Sequence, residues 1–270
     1  MNIGVVISTY NNPHYLELTL EGYCRQTRMA DEILVADDGS RDDTRQLIAS
    51  FADRLPIKHI WHPDHGFQKS EILNRALVAA QSDYLIFTDQ DCIPREDFIA
   101  THERFARPGC FLSGGYFRMT DRVTQQVTSD VITDGRVFSI SWLRAMGQPL
   151  SFRMTKLLRS PFYAWLLNHI TTAAPSWNGC NASGWRNEML AINGYNEDMH
   201  YGGQDREFGE RLWNLGCRSL QIRYSAIVMH LDHKRPYKTR ETMQRNRDIR
   251  SYTRRHHVVR TPNGIEKEGE

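Results

Sequence analysis

The sequence predicts an α/β fold, a mostly parallel β-sheet flanked by helices with a helical insertion and a C-terminal helical extension. Over the first hundred residues, short β-branched runs alternate with stretches of helical apolar spacing, the pattern of βαβ units. The run Tyr84-Leu85-Ile86-Phe87 is apolar or aromatic throughout, as suits a fully buried strand. At 270 residues the chain can bury a sizeable core as one elaborated domain.

The first strand is expected over residues 3–10. Asn12-Pro13 turns the chain, and Leu16, Leu18, Leu20 and Tyr23 space a helix over 14–26. A second strand over 32–36 runs into Asp37-Asp38-Gly39-Ser40. Asp42 and Asp43 then open a helix, the end where carboxylates favour the dipole. A third strand over 57–61 leads to His62-Pro63-Asp64-His65-Gly66-Phe67-Gln68-Lys69 and a helix over 70–80. The strand over 84–88 ends in Asp89-Gln90-Asp91. Ligands of open parallel sheets sit beyond the carboxyl ends of the strands. An Asp-x-Asp there suits a divalent cation carrying a phosphate group, and equally a polar turn. Lys69 reads as a phosphate contact or a solvated helix-end lysine, with Arg75 as the alternative contact.

No apolar run reaches the length of a bilayer span, and no leader-like segment stands at the start, so a cytoplasmic protein is expected. The five cysteines form no Cys-x-x-Cys pair, which argues against a zinc knuckle or a disulfide framework. The net charge of +2 is unevenly spread. Residues 135–187 hold no acid but carry Arg136, Arg144, Arg153, Lys156, Arg159 and Arg186 among Trp, Phe and Leu. Such a segment reads as interfacial and amphipathic, or as a helical insertion with its basic residues in water. Lys234, Arg235, Lys238, Arg240, Arg245, Arg247, Arg250, Arg254, Arg255 and Arg260 make the tail basic. That tail suits an anionic membrane surface better than nucleic acid, for which no binding module is visible.

A second constellation follows the insertion. Trp177, Asn181 and Trp185 lie in a small polar stretch, and Trp faces stack well on sugar rings; Trp185 fits a core position equally. Tyr201-Gly202-Gly203-Gln204-Asp205 allows close backbone approach before a helix opens. Asp205 in the first helical turn sits near N–H donors that keep it ionised.

The motifs Val6-Ile7-Ser8-Thr9-Tyr10-Asn11, Val35-Ala36-Asp37-Asp38-Gly39-Ser40 and Thr88-Asp89-Gln90-Asp91 resemble, in type, order and spacing, those of family 2 glycosyltransferases of the GT-A fold. The segment 66–76 resembles the donor-site segment shared by that family and β-1,4-galactosyltransferases. Residues 201–205 resemble the Trp-Gly-Gly-Glu-Asp motif of β-1,4-galactosyltransferases and bacterial chondroitin-type transferases. The resemblance implies a nucleotide-sugar site at Thr9, Tyr10, Asn11, Asp37, Asp38, Phe67, Lys69, Asp89, Gly202 and Gly203. It implies Mn²⁺ or Mg²⁺ on Asp91 and His230, with His233 as fallback. Asp205 takes the position of the catalytic base, with Gln204, Trp177, Asn181, Trp185 and Tyr201 at the acceptor. Gln204 stands where the family has Glu, which leaves the acceptor open. The implied organisation is a GT-A domain over 1–235, comprising a nucleotide-sugar half (1–105), a basic insertion (about 120–175) and an acceptor half (176–235), then a basic extension over 236–270. The implied reaction is inverting transfer of a hexose or N-acetylhexosamine from a UDP-sugar to a glycan, glycolipid or lipopolysaccharide-type acceptor, on or near the inner face of the membrane. Competing readings are a nucleotidyltransferase acting on sugar phosphates and a non-catalytic carbohydrate-binding protein.

Overall fold

In chain order the elements are β1 (Ile3–Thr9), α1 (Pro13–Cys24), β2 (Glu32–Asp37), α2 (Asp42–Ser50), β3 (Ile57–Trp61), α3 (Lys69–Ala79), β4 (Tyr84–Asp89), β5 (Cys92–Pro94), α4 (Phe98–Phe105), β6 (Cys110–Ser113) and β7 (Gly115–Arg118). Then follow α5 (Asp121–Thr124), α6 (Ser129–Thr133), α7 (Ile140–Ala145), α8 (Pro161–Ile170), β8 (Ala182–Trp185), α9 (Arg186–Ala191), α10 (Gln204–Asn214), β9 (Arg218–Gln221), β10 (Ile227–His230) and α11 (Arg240–Arg255). They are those of a computed structural model that describes residues 1–233 and 239–267. Lys234, Arg235 and Lys238 of the basic tail lie outside the described residues.

The main sheet has seven strands in the order β3-β2-β1-β4-β8-β6-β9. β1 is buried along its whole length because β2 and β4 flank it and helices cover both faces. The parallel register sets Thr9 beside Asp37 and Ser8 beside Asp89. The carboxyl ends of β1, β2 and β4 are therefore level, and the polar residues that end each apolar run collect along one edge.

β8 runs antiparallel between β4 and β6. Its small side chains fit between Tyr84, Phe87 and Phe111, all fully or almost fully buried. Its one hydroxyl is satisfied inside: Ser183 Oγ meets Tyr84 Oη at 2.8 Å and His102 Nδ1 at 2.7 Å. Part of the polar-looking stretch 176–186 is thus a central strand.

A second, three-stranded sheet has the order β5-β10-β7. β10 pairs antiparallel with β5, setting His230 opposite Cys92, the residue after Asp91. This pairing brings together two groups 139 positions apart. The insertion divides into two parts. Val123, Val131, Ile132, Val137, Leu143, Met154 and Leu157 close a third core over Phe117, Ile227 and Met229. α8 contributes no buried residue.

Candidate active site

One cleft of about 970 Å³ opens over the carboxyl edge of the main sheet. Thr9, Tyr10, Asn11, Asp38, Phe67, Lys69, Asp89 and Asp91 line it from the first half of the chain. Tyr201, Gly203, Gln204, Asp205, His230 and His233 line it from the second.

On the first side, Gln90 organises the floor. Its Oε1 accepts from Thr9 Oγ1 at 2.5 Å and from Tyr10 N at 3.2 Å, and its carbonyl accepts from Thr19 Oγ1 at 2.7 Å. Of the carboxylate pair after β2, Asp38 faces the cleft. It is held by His62 Nε2 at 2.9 Å and Gln68 N at 3.1 Å. Burial pushes the Asp38 carboxyl up, against the pull of His62. Asp37 turns away: it is 1% exposed and is spent on His59 (2.8 Å) and Ser40 N (2.8 Å). The expectation that both could reach a nucleotide is corrected to Asp38 alone, because successive residues at a strand end point to opposite sides and Asp37 is turned onto His59 of β3.

Lys69 opens α3 and donates to Asp89 Oδ1 at 2.5 Å, as does Ser8 Oγ at 2.6 Å. Burial works against the lysine's charge, but Asp89, Asp205 and Asp91 hold its pKa above the usual lysine range. Lys69 is thus the shared cation of the cleft. Arg75, the alternative phosphate contact, forms an exposed ion pair with Glu71 at 2.6 Å and does not line the cleft.

Asp91 Oδ2 lies 2.9 Å from His233 Nε2 and 3.6 Å from His230 Nδ1. Burial alone would raise its pKa; the two histidines bring it below the usual carboxylate range. His230 Nδ1 lies 2.7 Å from the Leu231 carbonyl, which calls for a proton on that nitrogen and leaves the lone pair on Nε2. Ligand atoms of Asp91, Cys92 and His230 all lie within 4.8 Å of one another. Carboxylate oxygen and neutral imidazole are a donor set that fits Mn²⁺.

On the opposite side, Gly202 and Gly203 have φ of 101° and 106° and set the entry to α10. Asp205 stands in its first turn, with Oδ1 buried and without a hydrogen-bond partner among the described residues. A Cβ on Gly179 would lie 2.5 Å from that oxygen, so glycine is required there. Burial pushes Asp205 up to about 6, Lys69 opposing and Asp89 adding to the rise. The nearby Glu207 is committed elsewhere. It forms a fully buried pair with Arg211 at 2.8–3.0 Å and accepts from Thr253 Oγ1 at 3.1 Å. Breaking such a pair costs about 3–5 kcal/mol.

Three expected acceptor contacts are corrected. Trp177 touches the cleft floor, but its indole is fully buried among Phe87, Phe111 and Phe208 at 5.5, 5.8 and 4.9 Å, and Nε1 donates to Tyr195 Oη. Its face is closed to a sugar ring. Trp185 pairs with Tyr84 at the amino end of β4, the far end of the sheet from Asp89. Asn181 is fully buried and ties the two sheets, donating to the Gly115 and Ala226 carbonyls at 2.8 and 3.0 Å. Tyr201 does line the cleft, its ring edge-on to Phe67 at 5.9 Å. Gln204 lines it too, with Oε1 accepting from Gly202 N at 2.8 Å. Gly202 itself does not line it.

Sequence reasoning missed Gln90, Tyr15, Tyr116, Arg118, Asn178, Gly179 and Arg206, all of which line the cleft. Gln90 was the one within reach, being the middle residue of the Asp-x-Asp. Arg206 follows Asp205 on α10, and the rest arrive through β7, α1 and the loop before β8.

Residues 4–108 match the glycosyl transferase family 2, and residues 163–243 match the N-terminal domain of galactosyltransferase. Chondroitin synthase of Escherichia coli is 28% identical over 239 residues, which cover 80% of this chain and 32% of the relative. The chain thus spans about a third of that protein's length. Among solved structures, S. aureus TarS in complex with UDP-GlcNAc superposes with a TM-score of 0.63 at 15% identity, covering 96% of this chain and 70% of that one. Glucosyl-3-phosphoglycerate synthase from Mycobacterium tuberculosis, in complex with Mn²⁺ and uridine-diphosphate-glucose, gives 0.55 at 17% identity, covering 94% and 78%. Both show the same fold. This chain therefore has the GT-A fold, with residues 4–108 similar to the family 2 glycosyltransferases and residues 163–243 similar to the N-terminal domain of galactosyltransferase.

Proposed function

We propose that the chain is an inverting, metal-dependent glycosyltransferase that moves a hexose or N-acetylhexosamine from a UDP-sugar to a hydroxyl of a glycan or lipid-linked, lipopolysaccharide-type acceptor. One observation carries this reading. Asp205, whose Oδ1 is buried with no hydrogen-bond partner among the described residues, faces the same cleft as Thr9, Asp38, Lys69, Asp89 and Asp91. Thr9, Tyr10, Asn11 and Asp38 hold the nucleoside, the carboxylate accepting from the uracil N–H. Phe67 and Gly203 bound the sugar pocket, and Lys69 and Asp89 orient the sugar and diphosphate.

Asp205 accepts the proton of the acceptor hydroxyl as its oxygen attacks the anomeric carbon from the face opposite the diphosphate. The bond from that carbon to the phosphate oxygen breaks, UDP leaves, and the configuration inverts. A base positioned in this way supplies roughly 10²–10⁴-fold in rate. Asp91 and His230, with His233 beside them, would hold Mn²⁺ or Mg²⁺, which when bound neutralises charge on a leaving diphosphate. The names of the structural relatives support donor and metal: one is bound to UDP-GlcNAc, another to Mn²⁺ and uridine-diphosphate-glucose.

A panel of UDP-sugars with Mn²⁺ tests the reading through UDP release and the anomeric configuration of the product. Turnover of a sugar phosphate with UTP in place of a UDP-sugar would favour the nucleotidyltransferase. A product of retained configuration would overturn the single displacement. The binding-protein alternative leaned on Trp177 and Trp185, and neither offers a free face at the cleft.

A membrane-proximal acceptor is favoured by the exposed apolar side chains of one segment. Leu150, Phe152, Phe162 and Trp165 are 74%, 70%, 63% and 56% exposed, on the segment that carries no acid. Aromatic groups beside arginine suit the headgroup region of an anionic bilayer on its cytoplasmic side. Among the described residues no helix is long and apolar enough to cross a membrane, so this contact would be peripheral.

A further inference from the structure

The C-terminal helix α11 reads in the sequence as a basic extension, but its inner face grips the turn before Asp205. Asn246 is 1% exposed and directs Nδ2 at three successive carbonyls: His200 at 2.8 Å, Tyr201 at 3.2 Å and Gly202 at 2.8 Å. Its Oδ1 has no hydrogen-bond partner among the described residues. Flipping the amide would set that oxygen against the three carbonyls, so the orientation holds despite the unmet acceptor. Neighbouring α11 side chains cover both glycines. A Cβ on Gly202 would lie 2.4 Å from Met243 Sδ, and one on Gly203 would lie 3.2 Å from Arg250 Cδ. Arg250 is itself anchored on Glu210 of α10. From the other side, Gln204 Oε1 takes the Gly202 N–H. The turn is thus held at its carbonyls by α11 and at an amide by α10, and Asp205 follows directly.

We infer that Asn246 is a positioning residue for glycosyl transfer, fixing the turn 200–203 and through it the Asp205 carboxylate. The inference rests on the reading of Asp205 as base. Because Asn246 touches none of Thr9, Tyr10, Asn11 and Asp38, which hold the nucleoside, UDP binding should survive its loss while turnover does not. A shift of about 1 Å in a reacting group costs up to about 10²-fold in rate.

The test compares Asn246→Leu, Asn246→Asp and Thr253→Val in the full chain. Thr253 lies on the same helix and bonds Glu207, away from the turn. Four readouts serve: UDP affinity with Mn²⁺, thermal midpoint, amide exchange over residues 200–206, and kcat with whichever UDP-sugar releases UDP in the donor panel. Asn246→Leu should keep UDP affinity within about twofold, speed exchange over 200–206, and lower kcat by roughly 10- to 100-fold. Asn246→Asp should be worse still, since it sets a carboxylate against three carbonyls. Thr253→Val should lower the thermal midpoint yet leave kcat within about twofold, since it bonds no turn atom. Unchanged exchange over 200–206 in Asn246→Leu overturns the inference. So does a kcat loss that Thr253→Val matches at equal thermal midpoint. Failure of the underlying reading looks different: Asp205→Asn would then turn over as the unmodified chain does.

Discussion

Asp91 and Asp205 face the same cleft, the first buried and the second half-buried, yet their surroundings pull in opposite directions. Asp91 follows β4 and meets His230 and His233, which outweigh the cost of burial and hold it ionised. Asp205 opens α10 with Lys69 as its opposing charge and Asp89 as a like charge, so burial wins and its pKa rises to about 6. A carboxylate kept charged suits a cation ligand. One poised near neutrality suits proton transfer, because a base works best with a pKa close to the working pH. Two like groups are thus suited to two tasks by what stands around them.

The largest expected effect is at Asp91. Asp91→Ala should weaken UDP binding in Mn²⁺ and lower turnover by about 10³-fold, the several kcal/mol a bound cation contributes at a leaving phosphate. Chelation should do the same to the unmodified chain and added Mn²⁺ should reverse it. Turnover indifferent to chelator would break this half of the comparison.

Asp205→Asn should lower turnover by about 10²-fold or more while leaving UDP affinity within about twofold. In the unmodified chain, turnover should rise with pH through about 6 as the carboxylate ionises. Stability should move the other way. The folded pKa of about 6 lies above the unfolded value of 3.8, so ionised Asp205 destabilises the fold above pH 4, fully so above about 6. Asn carries no such penalty. Asp205→Asn should be more stable at pH 7.5 by about 1–3 kcal/mol, a few degrees in Tm, with the difference gone below pH 4. A variant that melts no higher than the parent at pH 7.5 would place the carboxylate in a wetter site than the structure gives it.

Gln204→Ala sharpens the contrast between binding and positioning. As an acceptor contact it would raise the acceptor KM. As the partner of Gly202 N it should lower kcat by about tenfold with the acceptor KM little changed, because the loss falls on geometry.

The smallest effect on chemistry is expected at α8. Phe162→Ser with Trp165→Ser should reduce binding to anionic vesicles about tenfold or more, by removing roughly 1.5–3 kcal/mol of burial per ring. Turnover of soluble substrates should stay unchanged. Salt should release the unmodified chain, since surface charge is screened over about 8–10 Å. Equal binding to neutral vesicles would remove the electrostatic part of the proposal.

The sequence by itself determined the side of the cleft built from the first half of the chain. Its site residues end strands that follow one another in the chain, and each strand announces itself as an apolar run with a polar stop. Parallel pairing then levels those stops, so Thr9, the Asp37-Asp38 pair, Asp89 and Asp91 come to one edge without further instruction. Asp205 was legible for a similar local reason, two glycines before a helix. Which neighbour faces the cleft was decided by tertiary structure. Asp37 and Asp38 differ only in the side of the strand end they occupy. Trp177, Asn181 and Trp185 look like a sugar platform until β8 enters the sheet between β4 and β6, with Trp177 and Asn181 buried and Trp185 carried to the far end of β4. His230 reaches Asp91 only because β10 pairs with β5, and the 200–203 turn is held by Asn246, more than forty residues further on. Contacts of that separation depend on register and packing between elements, which no local window of sequence encodes.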